Sequence, residues 1–236
     1  MLVVLAAGFV QGLTAFGFAL ISLPLLALFL PMQQAVPIIV LLSLVSNVVI
    51  LYDTWKHLQL GRIWLLIVAG LAAVPFGAWL LAWLDVAVMK VAAGLLIMLF
   101  AIAMLRGKTF PIRREKTAFV VVGLISGLLN GSISVSGPPV ALFLSNQGVD
   151  RQTFKANLTG YAIMLNIHTL VVFGVAGMLD GETLAACAWL LPAMAAGVWL
   201  GIKCVRMLND ALFKKIALWL IVCSSLWTVL SGLSIV

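Results

Sequence analysis

The chain carries apolar runs too long and too uniform for a fold that faces water. Six of them, 36–51, 63–84, 86–105, 154–176, 184–202 and 212–236, come close to the roughly 20 residues a helix needs to cross a bilayer's hydrocarbon core. Only 9% of the residues are charged and 64% are hydrophobic. A soluble domain carries about 25% charged residues, and this chain has too little polar surface to cover a globule. Disorder fails on the same hydrophobicity. The three cysteines are odd in number and scattered through apolar sequence, which excludes a secreted disulfide framework. The runs do not alternate apolar with polar residues, so they are not the strands of an outer-membrane barrel. An all-α polytopic membrane protein remains, with the lipid bilayer as its obligatory partner.

Two further apolar stretches, 1–30 and 117–145, are longer than a span and interrupted. The first breaks around Thr14-Ala15-Phe16-Gly17, with Pro24 beyond it. The second breaks over Asn130-Gly131-Ser132-Ile133-Ser134-Val135-Ser136-Gly137-Pro138-Pro139. Such a break frees backbone N–H and C=O groups at membrane depth, where only protein or enclosed water can satisfy them. The N-terminal run continues past signal-peptide length and lacks a basic start, so it is expected to stay in the protein.

The two halves of the chain repeat. Gly8-x-x-x-Gly12-Leu13 aligns with Gly123-x-x-x-Gly127-Leu128, and Pro24 with Pro139. Asn47 falls near Asn166, Gly77-x-Trp79-Leu80 on Gly197-x-Trp199-Leu200, and Leu84 and Lys90 on Leu208 and Lys214. The order is kept through the whole half, which indicates duplication.

Positive charge then decides the topology. If both interrupted stretches cross the membrane, the 14 Lys and Arg residues divide evenly between the two sides. If both are hairpins that enter and leave on one face, every Lys and Arg except Lys90 falls on one side. The positive-inside rule selects the hairpins. Each half is then a broken-helix hairpin plus three spans, an odd number of crossings, so the halves are inverted relative to each other. The expected plan is a first repeat over 1–105 (hairpin 1–30, spans 36–51, 63–84 and 86–105) and a basic cytoplasmic loop over 106–116. A second repeat follows over 117–236 (hairpin 117–145, spans 154–176, 184–202 and 212–236). Both termini face out. The net charge of +7 is thus a topology signal, with no nucleic-acid partner implied.

Inverted repeats with broken helices are the pattern of secondary transporters. In each hairpin the second arm begins near the midplane, around Phe18 and around Pro138, with unpaired N–H groups and partial positive charge at its start. Two such ends aimed at one point make an anion site. Thr14, Phe16, Gly17, Phe18, Asn130, Ser132, Ser134, Ser136, Gly137 and Pro138 are the candidate binding residues at the breaks: hydroxyl and amide donors, and glycines for close backbone approach. Asn47 and Asn166, at matching places in two spans, either bond helix to helix or line the site; Thr159 and Tyr161 share that ambiguity. No carboxylate lies at mid-membrane depth, which argues against a carboxylate-lined cation path. His168, inside a span, is either structural or proton-linked. No Cys/His cluster has metal-ligand spacing, and no cofactor is called for. Trp55, Trp64 and Trp83 sit near span ends, as interface anchors do. The alternative from another class is an intramembrane serine hydrolase using Ser136 and His168; it leaves both the duplication and the first break unexplained.

At its two breaks the sequence resembles the sulfite exporter TauE/SafE family. The segments that carry the resemblance are Gly8-Phe-Val-Gln-Gly-Leu-Thr-Ala-Phe-Gly-Phe-Ala-Leu-Ile-Ser-Leu-Pro24, Gly123-Leu-Ile-Ser-Gly through Val135-Ser136-Gly137-Pro138-Pro139, and Phe154-Lys-Ala-Asn. The resemblance implies transport of sulfite or small organosulfonates across the inner (cytoplasmic) membrane by a non-enzymatic multi-pass protein. Phe16, Gly17, Ser134, Ser136, Gly137 and Pro138 are the positions at which family roles would carry over.

Overall fold

A computed structural model describes residues 1–106, 115–204 and 210–233, with side chains at all of these except 104, 210–218, 220 and 224. Ten α-helices follow one another: α1 Leu2–Thr14, α2 Phe18–Leu26, α3 Met32–Thr54, α4 Leu60–Trp83, α5 Val86–Arg106, α6 Glu115–Ile133, α7 Gly137–Asn146, α8 Arg151–Val175, α9 Gly181–Cys204 and α10 Asp210–Gly232. A 3₁₀ turn, Trp55–His57, links α3 to α4. No strand occurs among the described residues. The expected basic loop lies largely outside them, at 107–114, as do Arg206, Leu208, Asn209 and the last three residues of the final span.

Among the described residues six helices are long and apolar enough to cross a membrane: α3 with its 3₁₀ turn, α4, α5, α6, α8 and α9. The number matches expectation, with α6 among them. The final run, expected as a span over 212–236, forms α10, only part of whose side chains is described. The helices on either side of the two breaks measure 13 residues in α1, 9 in α2, 19 in α6 and 10 in α7. Helix α6, the longest of them, begins with Glu115-Lys116-Thr117, a polar first turn ahead of the apolar residues.

Carboxylates sit where they begin helices. Asp150 Oδ1 accepts from the N–H groups of Gln152 and Thr153, both at 3.0 Å, at the start of α8. Asp180 Oδ1 accepts from Thr183 N–H at 2.8 Å ahead of α9, and Asp85 Oδ1 from Ala87 N–H at 2.8 Å ahead of α5. These bonds satisfy first-turn donors that no helix can satisfy itself. Hydrogen bonds from the side chain and backbone of Thr153, and from Gln152 N–H, hold the Asp150 carboxyl below its ordinary range. That preference for the ionised form stabilises the cap above the range where a free carboxyl titrates, and it is lost on acidification through the lowered value.

Helix pairing crosses between the halves. The helix before the first break, α1, packs on α9, and the helix before the second, α6, packs on α4. Likewise α3 packs on α8 and α5 on α10, while α4 meets α8 and α9 meets α3. Exchanging the halves turns each pair into itself or into another pair on this roll.

Glycines make the two tightest of these contacts. A Cβ on Gly8 would lie 2.7 Å from Met194 O, and one on Gly12 would lie 2.4 Å from Val198 O. On the other side a Cβ on Gly127 would lie 2.1 Å from Gly70 O, and one on Gly131 would lie 2.3 Å from Val74 O. Small-residue faces of this kind let membrane helices pack backbone to backbone. For the expected repeat the contacts give a different register. Gly8 and Gly12 correspond to Gly127 and Gly131, one helical turn beyond the Gly123 and Gly127 that the sequence pairs with them. By the same contacts Gly77, against Gly131, corresponds to Gly201, against Gly12. One interval now separates Gly8 from Gly127, Gln11 from Asn130, Ala15 from Ser134, Phe18 from Gly137 and Asn47 from Asn166. Pro24 and Pro139 drop out, since Pro24 lies deep in α2 and Pro139 in the first turn of α7.

Gly127→Ala is expected to destabilise the protein by about 1–3 kcal/mol, the range for overpacking a close contact. Gly61→Ala, where a Cβ meets nothing within 4 Å, should change stability by less than about 0.5 kcal/mol. Thermal or denaturant unfolding in detergent reads both.

Candidate functional site

Each break ends its first helix with a residue in the left-handed region. Ala15, at φ 64°, closes α1, and Ser134, at φ 60°, follows α6. A Cβ makes this conformation costly by roughly 1–2 kcal/mol. Gly17, at φ 119°, then begins α2 in a conformation that L side chains rarely adopt. The Thr14 hydroxyl holds this first turn together: it donates its one proton to Val10 O, at 2.8 Å, or to Phe16 O, and it accepts from Phe16 N–H.

The two breaks meet. A Cβ on Gly137 would lie 2.9 Å from Phe16 Cβ, so α7 begins against the first break with no room between them. Beside this contact lies a cavity of about 30 Å³, lined by both breaks and by residues of α1, α3 and α8. That is room for about one or two water molecules. Phe16, Gly17, Phe18, Asn47, Ser134, Ser136, Gly137 and Pro138 line it, as do Gln11, Ala19, Leu20 and Ser43. No Asp, Glu, Lys or Arg is among its lining residues.

The polar groups at this cavity form a chain. Phe18 N–H, the first donor of α2, gives its hydrogen bond to Gln11 Oε1 at 3.0 Å. Gln11 Nε2 donates to Asn47 Oδ1 at 2.9 Å. Asn47 Nδ2 donates to Ser43 Oγ at 3.2 Å, and Asn166 Nδ2 reaches the same oxygen from α8 at 3.3 Å. The next two donors of α2, the N–H groups of Ala19 and Leu20, have no acceptor within their helix. In α7 only Gly137 among the first three residues has an N–H, because Pro138 and Pro139 lack one.

The second half departs from the first at one side chain. Asn130 occupies the place of Gln11 but is one methylene shorter. It donates to Thr169 Oγ1 at 2.8 Å, and its Oδ1 is buried without a partner. Gly137 N–H therefore lacks the side-chain cap that Gln11 gives Phe18. Ser134 Oγ is also buried without a partner, at the cavity.

The expected site residues thus divide. Asn130 and Ser132 lie outside the cavity; the Ser132 hydroxyl donates to Leu128 O at 2.8 Å within its own helix. Thr14 supports the break from behind, and Asn166 sits one bond behind Ser43. His168 is half-buried and does not line the cavity, so it is not brought into the site with Ser136 as a hydrolase would require. Gln11 and Ser43 were missed. Gln11 had a signal, as the one polar side chain between Met1 and Thr14; Ser43 stands one turn before Asn47.

The family described as Sulfite exporter TauE/SafE matches residues 1–228, and the chain belongs to it: it is a multi-pass membrane transporter of the kind that handles small anions. No curated protein and no solved structure matches the chain. Among the described residues no group of three or more His, Cys, Asp or Glu could hold a metal ion.

Gln11→Leu keeps the side chain's bulk and strands Phe18 N–H and Asn47 Oδ1. The expected loss is about 2–6 kcal/mol, since each of the two buried groups left unpaired costs about 1–3. Ala15→Gly should instead gain up to about 1 kcal/mol by relieving the left-handed Cβ. Unfolding midpoints of the two variants, moving in opposite directions from wild type, are the check.

Proposed function

We propose that this member of the sulfite exporter TauE/SafE family is a secondary transporter of a small oxyanion, sulfite or an organosulfonate, in the cytoplasmic membrane. The observation that carries the proposal is the gathering of Ala19, Leu20 and Gly137 at one cavity lined by no carboxylate. Unpaired N–H groups at two helix starts favour negative charge. Ser134 and Ser136 add hydroxyls, and Asn47 and Gln11 hold the α2 end in place. A cation would find no carboxylate here.

The halves are inverted repeats in this proposal. The crossed pairing of α1 with α9 and of α6 with α4 supports it, as does the single interval relating the two breaks. Helix α6, by length and composition able to cross a membrane, is in this proposal the first arm of the second hairpin. Alternating access then comes from motion of one half against the other about the paired breaks. The Phe16–Gly137 contact is the place to part, because a cavity of about 30 Å³ must enlarge to admit an oxyanion.

Sulfite at a hundred times its dissociation constant should stabilise the purified protein by about 2.7 kcal/mol, seen as a rise in melting temperature. Gly137→Leu should abolish that rise while the protein still inserts and stays monodisperse. An undiminished rise in the variant removes the breaks from the binding site. The topology is read separately: a C-terminal reporter active only in the cytoplasm should stay silent, and activity would overturn the inverted arrangement.

A further inference from the structure

We infer that Ser43 is a specificity-determining residue, its hydroxyl locked as a hydrogen-bond donor toward the cavity by an amide from each half of the chain. The lock makes the site favour oxyanions that present only acceptors over those that carry a proton.

The polarity is set from the backbone. Phe18 N–H can only donate, so Gln11 must turn its carbonyl oxygen toward it. That leaves Gln11 Nε2 facing Asn47 and requires Asn47 to answer with Oδ1. Asn47 Nδ2 is then the group left to face Ser43, and Ser43 Oγ accepts. From the other half, Asn166 Nδ2 donates to the same oxygen. A serine oxygen has two lone pairs and one proton. With both lone pairs engaged, donation of the O–H is the only capacity Ser43 has left. Ser43 lines the cavity and is only 9% exposed, so that proton is directed to a small space largely enclosed by protein. The free hydroxyl of Ser134, 5% exposed and without a partner, lines the same space.

The orientation has a chemical consequence. An unconstrained serine rotates to donate to a sulfonate oxygen or to accept from a P–OH group. Ser43 cannot accept without breaking one of its two amide bonds. An anion that brings a proton to this position meets another proton. Charge and size do not separate methanesulfonate from singly ionised methylphosphonate; one O–H does. Asn166, which does not line the cavity, acts as a positioning residue through Ser43.

This inference rests on the anion-binding proposal above, and the test separates the two. The affinities of methanesulfonate and methylphosphonate are measured by titration calorimetry on the full chain in lipid nanodiscs, at a pH where methylphosphonate is a monoanion. Wild type should bind methanesulfonate at least tenfold more tightly. Ser43→Ala should bring the ratio of affinities to within about threefold, and Ser43→Thr, which keeps the hydroxyl, should retain it. Asn166→Asp replaces a donor by an acceptor, turns the Ser43 proton away from the cavity and should lower the ratio below that of Ser43→Ala. The ratio is the readout, because a new negative charge or a general loosening weakens both anions alike. A wild-type ratio near one overturns the role of Ser43 while leaving anion binding intact, and so does an unchanged ratio in Ser43→Ala or Asn166→Asp. Failure of wild type to bind either anion overturns the anion proposal and this inference with it.

Discussion

An unpaired peptide group inside an apolar protein must find a partner, and the organisation around the two breaks follows from that requirement. Helix α1 stops at Ala15 and α2 restarts at Phe18; α6 stops at Ile133 and α7 restarts at Gly137. Each interruption frees carbonyls on one side and N–H groups on the other. Thr14 bonds back onto the first break, Gln11 caps α2, and Ser126 donates to Ser136 O at 2.8 Å in the second. In the proposed site the remaining helix-start N–H groups would favour an anion without a lysine or arginine in the membrane.

The helices that lead into the breaks are held by close glycine packing. Glycines on α1 and α6 bring those helices into backbone contact with α9 and α4, so the left-handed residues Ala15 and Ser134 are fixed from behind. Conformational cost at such residues persists only where the surroundings over-determine them. The near-symmetry is imperfect at an informative place. Gln11 is long enough to cap its helix start and Asn130 is not, so the two halves offer the cavity unequal donors. Pro138 and Pro139 increase the inequality by removing two N–H groups from α7.

Much of this was legible before any coordinates. Helical class, the two breaks and the matched positions of Asn47 and Asn166 follow from apolar run length, from Gly, Ser and Pro inside those runs, and from matched order. The glycine register did not: Gly123, Gly127 and Gly131 repeat every turn, so the sequence permits slippage by four residues, and only the carbonyls that each glycine meets decide it. Pro24 and Pro139 misled for the same reason, as residues alike in type at different depths in their helices. The length of α6 was hidden because Glu115 and Lys116 read as part of a hydrophilic loop. Ser43 was unreadable, since its role depends on which amides face it across α3 and α8. Asn130 and Ser132 looked like binding donors because sequence gives a residue's chemistry without its direction.

The central claim is that an anion sits between the two helix starts. Crystals grown with selenite, a heavier analogue of sulfite with a strong anomalous signal, test it directly. An anomalous peak is expected within hydrogen-bond reach of the N–H groups of Ala19, Leu20 and Gly137, beside the Ser43 hydroxyl. A saturated crystal whose peak lies elsewhere, or at one helix start alone with the other facing protein, would contradict it.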